Sequence, residues 1–164
     1  MATVVVPFRG TNGKSRVALP EPERRELALS MLRRVLDAAS EVGEVVLVTD
    51  DEEARSLAVH WVEDPGRGQG AAVEAALAEA TGPTLVVNAD LPKLEPQDLR
   101  ELLAAIPKDG VAIVEADDGT TNAVGLANPT LFAPLYGPGS AARFKERGAV
   151  AVDLPRLSED LDTL

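Results

Sequence analysis

Apolar positions along this chain fall in two rhythms. Val4-Val5-Val6, Val45 to Val48, Leu85-Val86-Val87 and Val111 to Val114 are short unbroken runs, mostly β-branched. A strand with one wet face would alternate, so these runs predict strands buried on both faces, the mark of a parallel sheet covered by helices. Between them the spacing becomes helical. Leu27, Met31, Leu32, Val35, Leu36 and Ala39 share one face of a segment from Pro22 to Ala39, with Arg24, Arg25, Arg33 and Arg34 between them. Pro22 suits the first helical turn, and Glu21, Glu23 and Glu26 suit its positive end. Further helices are expected over about 52–58, over 71–80 and from Pro96 to Ile106, with a short strand from His60 to Val62. The resulting β-α alternation predicts a single-domain α/β fold, a doubly wound three-layer αβα sandwich.

The last third departs from alternation. Asn122 to Leu126 reads as a strand, and no crossover helix separates it from the run ending at Val114, so it should pair antiparallel and make the sheet mixed, though mostly parallel. Gly137-Pro138-Gly139-Ser140 opens a short helix ending near Arg147, with Ser140 placed to cap it. Val150 to Val152 is a last strand. Beyond it comes the acidic segment Leu157 to Leu164, where Asp160 and Asp162 share a side if the backbone is extended and are otherwise a solvated terminus.

Strand ends are where ligands bind in such folds, so the residues there carry the candidate chemistry. Asp90 follows the run at 85–87 and precedes Pro92, which should end that strand. An acid there is either a hard-metal ligand for Mg²⁺ shared with substrate phosphates or the cap of a turn. Pro7 should likewise stop the first strand. The segment from Phe8 to Arg16 then has two glycines, Gly10 and Gly13, and the cations Arg9, Lys14 and Arg16. It is either a phosphate-holding loop or an ordinary surface loop, and its spacing is not that of a Walker motif. Asp50 and Asp51 also stand at a strand end but lead directly into a helix, where capping explains them. The turn from Glu63 to Gly70, with Gly68 and Gln69, precedes a helix start and suits a nucleobase or a phosphate.

Charge and composition narrow the partners. The 164 residues carry 27 acidic against 16 basic groups, a net charge of −11, which disfavours nucleic acid and anionic membrane and favours a small ligand. With no cysteine, disulfides, thiolate metal sites and cysteine nucleophiles are excluded. The one histidine, His60, stands beside Trp61 and is read as structural. No basic stretch leads into a long apolar run, so a soluble cytoplasmic protein is expected. The oligomeric state stays open, with a homodimer compatible.

Five ordered motifs resemble one family. Gly13-Lys14-Ser15-Arg16, Ala89-Asp90-Leu91-Pro92, Gly119-Thr120-Thr121-Asn122-Ala123, Gly137-Pro138-Gly139-Ser140 with Ala142-Arg143, and Asp160-Leu161-Asp162-Thr163 together resemble the 2-phospho-L-lactate guanylyltransferases. That family includes phosphoenolpyruvate guanylyltransferases and belongs to a nucleotidyltransferase superfamily related to the molybdenum-cofactor guanylyltransferases. Its members usually carry a lysine near Arg9 and are longer, the shortening here falling around His60 to Gly70. The resemblance implies a Rossmann-like nucleotidyltransferase fold and transfer of GMP from GTP to the phosphate of a small three-carbon acid. That acid would be phosphoenolpyruvate, 2-phospho-L-lactate or a phosphoglycerate, and pyrophosphate would be released, in coenzyme F-420 biosynthesis.

By the same resemblance Asp90, Asp160 and Asp162 hold Mg²⁺, while Asp90, Lys14 and Arg16 serve catalysis. Pro7, Arg9, Gly10, Gly13, Lys14, Arg16, Gly68 and Gln69 line the nucleotide. Thr121, Asn122, Gly137 and Ser140 meet the acceptor. Such a reaction needs charge and alignment more than covalent participation by the protein, which suits this residue set. Two other readings stand beside it: a related nucleotidyltransferase acting on molybdopterin or a sugar phosphate, and a nucleotide-binding module without catalysis. The three carboxylates speak against the second.

Overall fold

The computed structural model describes residues 2–9 and 20–159. Thirteen α-helices and β-strands follow one another along these residues. They are β1 (Ala2–Phe8), α1 (Glu21–Ser40), β2 (Gly43–Thr49), α2 (Glu52–Arg55), β3 (Trp61–Glu63), α3 (Gln69–Leu77), β4 (Thr84–Val87), α4 (Pro96–Ala105), β5 (Val111–Glu115), β6 (Thr121–Leu126), α5 (Ser140–Glu146), β7 (Val150–Ala151) and α6 (Pro155–Ser158). The strands form one sheet in the order β3-β2-β1-β4-β6-β5-β7. Only β6 runs against its neighbours, pairing antiparallel with both β4 and β5.

The unbroken apolar runs are buried on two faces, as their composition requires. Val4, Val6, Phe8, Leu47, Leu85 and Val87 face α1 and α4. Val5, Val46, Val48 and Val86 face the other way, against Ala72, Val73 and Ala76 of α3 and Phe144 of α5. The αβα layering is thus the expected one. Burying a valine or leucine side chain is worth about 1.5–3 kcal/mol, so these two interfaces dominate the favourable side of folding.

Several local expectations need correction. Pro7 does not stop β1, which continues through Phe8 beside β2. Pairing with β4 ends at Val5, so the proline lies where β1 has a neighbour on one side only. Pro92 does not border β4 either, because that strand ends at Val87 and Asp90 stands on the loop beyond it. Ser140 is not a cap: Gly139, left-handed at φ 76°, precedes the helix, and Ser140 is its first residue. The segment after β7 is not simply extended, since 155–158 form a helical turn that buries Leu157 completely. β6 does pair antiparallel with β5 as expected, and it also pairs antiparallel with β4, so it is inserted between the two.

The chain from β1 runs outward through β2 and β3, then returns to β4 on the other side of β1 and continues outward the opposite way. The strand order therefore reverses between β1 and β4. That reversal opens a crevice at the carboxyl ends of the parallel strands.

Candidate active site

Among the described residues, five parts of the chain meet at this rim: Arg9 just past β1, the turn before α3, the loop after β4, the start of β6 with the turn before α5, and α6. Arg9 is the first residue past β1. Its guanidinium lies 4.0 Å from the Asp64 carboxylate, and the arginine side chain is 54% exposed while that of the aspartate is 3% exposed. Asp64 also accepts the Gly66 N–H at 2.8 Å, folding the turn back on itself. Gly66 and Gly68 adopt φ of 76° and 101°, conformations open to glycine, and Gly68 directly precedes α3. Gly70 lies so close to Pro134 that a Cβ there would stand 2.5 Å from the proline Cβ. The glycines therefore let the turn and the helix start close over the rim.

Gln69, the first residue of α3, donates its side-chain N–H to Asn88 Oδ1 at 3.0 Å. Asn88 stands just past β4, and Asp90 follows on the same loop, half-buried. Asn88 Nδ2 donates to Thr121 O and to Asn122 Oδ1, each at 3.2 Å. Thr121 and Ser140 share a hydroxyl hydrogen bond of 2.9 Å. Their side chains are turned inward: Thr121, Asn122 and Ser140 are 2%, 1% and 0% exposed. Just before Ser140 lies the turn carrying Gly137 and Gly139, whose φ are 111° and 76°. Arg143 holds that turn from behind, donating to the carbonyls of Leu135, Tyr136 and Pro138 at 2.9, 3.2 and 2.7 Å. Its fork is thereby committed to backbone.

The carboxyl-terminal side is fastened at several points. Arg156 bonds the buried Asp98 of α4 through Nε and Nη2, the latter at 2.8 Å. Asn122 Nδ2 donates to Leu157 O at 2.9 Å, and Asp117 N–H donates to Ser158 O at 3.1 Å. Lys93, three residues past Asp90, pairs with Glu159 at 2.6 Å. The chain thus reaches residue 159 beside the loop of Asp90.

Gly10, Gly13, Lys14, Arg16, Asp160 and Asp162 lie outside the described residues. Among the described residues no group of three His, Cys, Asp or Glu side chains could hold a metal ion by itself. Asp90 at the rim still suits Mg²⁺, which keeps several waters and takes one or two carboxylates plus substrate phosphates. Pro7 is buried within β1, and Arg9 lies beside Asp64 of the turn that leads into Gly68 and Gln69 at the start of α3. Asp51 does cap α2, accepting the Ala54 N–H at 3.0 Å. His60 is half-exposed and pairs with Glu79 at 3.0 Å, away from this rim.

Asn88 and Asp64 are the two residues whose part sequence reasoning missed. Asp64 had a readable signal, the Asp-Pro-Gly turn, in which the carboxylate takes an N–H two residues on. Asn88 had none beyond its place after a buried run.

Comparison with known proteins agrees with this geometry. Residues 24–139 match the MobA-like NTP transferase domain. A phosphoenolpyruvate guanylyltransferase of Sphaerobacter thermophilus is 36% identical, the alignment covering 99% of this chain and 89% of that one. Another from Nocardia farcinica is 36% identical over 92% of this chain and 76% of its own. In fold, a nucleotidyl transferase from Methanothermobacter thermautotroptrophicus superposes with a TM-score of 0.66 at 16% identity, covering 99% of this chain and 92% of that one. The chain therefore belongs to the phosphoenolpyruvate guanylyltransferase family, built on the MobA-like NTP transferase domain.

Proposed function

We propose that this protein transfers GMP from GTP to the phosphate of phosphoenolpyruvate, with release of pyrophosphate and Mg²⁺ as cofactor, as a cytoplasmic step in coenzyme F-420 biosynthesis. The observation that carries this reading is the similarity to phosphoenolpyruvate guanylyltransferases along nearly the whole chain. The crevice at the strand-order reversal supports it. In the transfer, an oxygen of the acceptor phosphate attacks the α-phosphorus of GTP. That O–P bond forms as the bond to the pyrophosphate oxygen breaks. The acceptor is already an anion, so no side-chain nucleophile or strong base is required.

The protein's own task is alignment and charge. Arg9, Lys14 and Arg16, with Gly10 and Gly13, would steady the triphosphate. Gly68 and Gln69 would close over the nucleotide from the start of α3. On the far side, Gly137 would meet the acceptor directly, while Thr121, Asn122 and Ser140 shape the turn behind it. Asp90, joined by Asp160 and Asp162, would hold the metal. Bound Mg²⁺ would offset the repulsion among the gathered phosphates.

The experiment is pyrophosphate release by the purified protein with Mg²⁺ and GTP, with and without phosphoenolpyruvate. Release is expected only when both are present. Parallel arms replace the acceptor with 2-phospho-L-lactate, a phosphoglycerate, a sugar phosphate or molybdopterin. Release with a sugar phosphate or molybdopterin and none with any three-carbon acid overturns the acceptor assignment, and silence in every arm overturns the enzyme.

A further inference from the structure

We infer that Asn88 is a positioning residue whose amide registers the nucleotide side of the crevice against the acceptor side. The inference rests on the guanylyl-transfer reading above but assigns a residue that reading leaves without a task. Asn88 lies two residues before Asp90 and is half-buried. Its Oδ1 accepts from Gln69 Nε2 at the start of α3, and its Nδ2 donates to Thr121 O and Asn122 Oδ1 at the start of β6. From there Asn122 Nδ2 continues to Leu157 O in α6, and Thr121 continues through its hydroxyl to Ser140 at the start of α5. One amide therefore links α3, on the nucleotide side, to α5 and α6, on the acceptor and carboxyl-terminal sides.

The sheet does not need this amide for its own register. Main-chain pairing already holds β4 to β6 from Thr84 to Val87, and Asn88 N–H donates to Asn122 O at 3.0 Å. The side chain adds α3, through Gln69, which this ladder does not reach, and ties it to the Asn122 amide that continues to α6. Their chemistry is also specific. The site presents one donor and two oxygen acceptors, which an asparagine satisfies together. An aspartate would turn a carboxylate on two oxygens, and an alanine would remove the partner of the donor and of both acceptors in a partly buried place. In-line transfer between two ligands held on opposite sides depends on their mutual placement, and a misplacement of about 1 Å can cost about 100-fold in rate.

The test compares wild type with Asn88→Ala and the isosteric Asn88→Asp, by steady-state pyrophosphate release, thermal unfolding and amide hydrogen exchange without ligands. The expected result is a kcat lowered about 10- to 100-fold, with KM for GTP and for phosphoenolpyruvate each changed less than about threefold. Exchange should quicken both at the start of α3 and at 121–123 with 157–158. A double variant with Asn122→Ala should lose little more than Asn88→Ala alone, because both interrupt one relay. A kcat within about twofold of wild type in both variants overturns the inference, as does faster exchange confined to the loop around residue 88. If Asn88→Ala does not fold, Asn88→Asp carries the same comparison. Wild-type protein that releases no pyrophosphate defeats the proposed reaction instead, and the exchange pattern then decides the registering role by itself.

Discussion

Polar side chains at this rim divide by burial into those that face the crevice and those that hold it in shape. Thr121, Asn122 and Ser140 are almost fully enclosed and spend their hydrogen bonds on one another, on backbone and on the Asn88 amide. Asp90 is half-buried on the loop beyond β4, and in the proposed function it holds the metal. Replacing it with asparagine keeps the shape and removes the charge. Asp90→Asn is therefore expected to lower guanylyl transfer at least about 100-fold, comparable with removal of one preorganised electrostatic contact. Its melting temperature should stay within about 2 °C of wild type, as for a change outside the core. Near-wild-type turnover at saturating Mg²⁺ would remove Asp90 from the site.

Among the elements, the tie between α1 and α2 shows how a strand-end acid serves structure instead of chemistry. Arg25 of α1 meets Asp51 through two hydrogen bonds of 2.9 and 3.0 Å, while Asp51 caps α2. The hydrogen bonds from Arg25 hold the Asp51 carboxyl below its ordinary value of 3.8, more strongly than partial burial raises it. A group with a lowered folded value contributes stability that is present above its unfolded value and lost as pH falls through the folded one. Asp51→Ala should cost about 1–2 kcal/mol near neutral pH, mostly through the lost cap, since Arg25 is partly solvated. The gap between wild type and variant should hold down to about pH 5 and shrink below about pH 4. Thermal melts across that range check it, and a gap that widens on acidification would show that the ion pair is not its source.

For the molecule as a whole, the rim gathers residues from Arg9, just past β1, to Glu159, just past α6. Leu157, the Arg156–Asp98 pair and the Lys93–Glu159 pair fasten α6 there. Deleting residues 160–164 leaves those anchors in place and removes Asp160 and Asp162. The truncated protein should melt within about 2 °C of the full chain. Transfer should fall at least about 100-fold, and Mg²⁺ titration in the presence of GTP should show weaker binding. Full activity after truncation would return both aspartates to the role of a solvated terminus. Deletion from Ser158 onward is a harsher change, because it also removes the carbonyl that pairs with Asp117 and the partner of Lys93.

Local sequence determined the elements, since the periods of burial are set by residues a few positions apart. The unbroken valine runs of β1, β2 and β4 and the helical spacing of α1 and α4 are legible for that reason, as are Asp51 as a cap and the αβα layering. The position of Asp90 beyond a buried strand was legible too. Tertiary structure alone decided what depends on neighbours distant in the chain. Nothing near β6 says that it inserts between β4 and β5, because strand order follows from how the whole sheet packs. Pro7 could remain in β1 because β4 pairs only as far as Val5. The inward turn of Thr121 and Ser140 arises where β6 meets α5, 19 residues apart in sequence. Asn88 joins α3 to β6 by bonds to residues 19 and 34 positions away, a convergence that no short window of sequence contains.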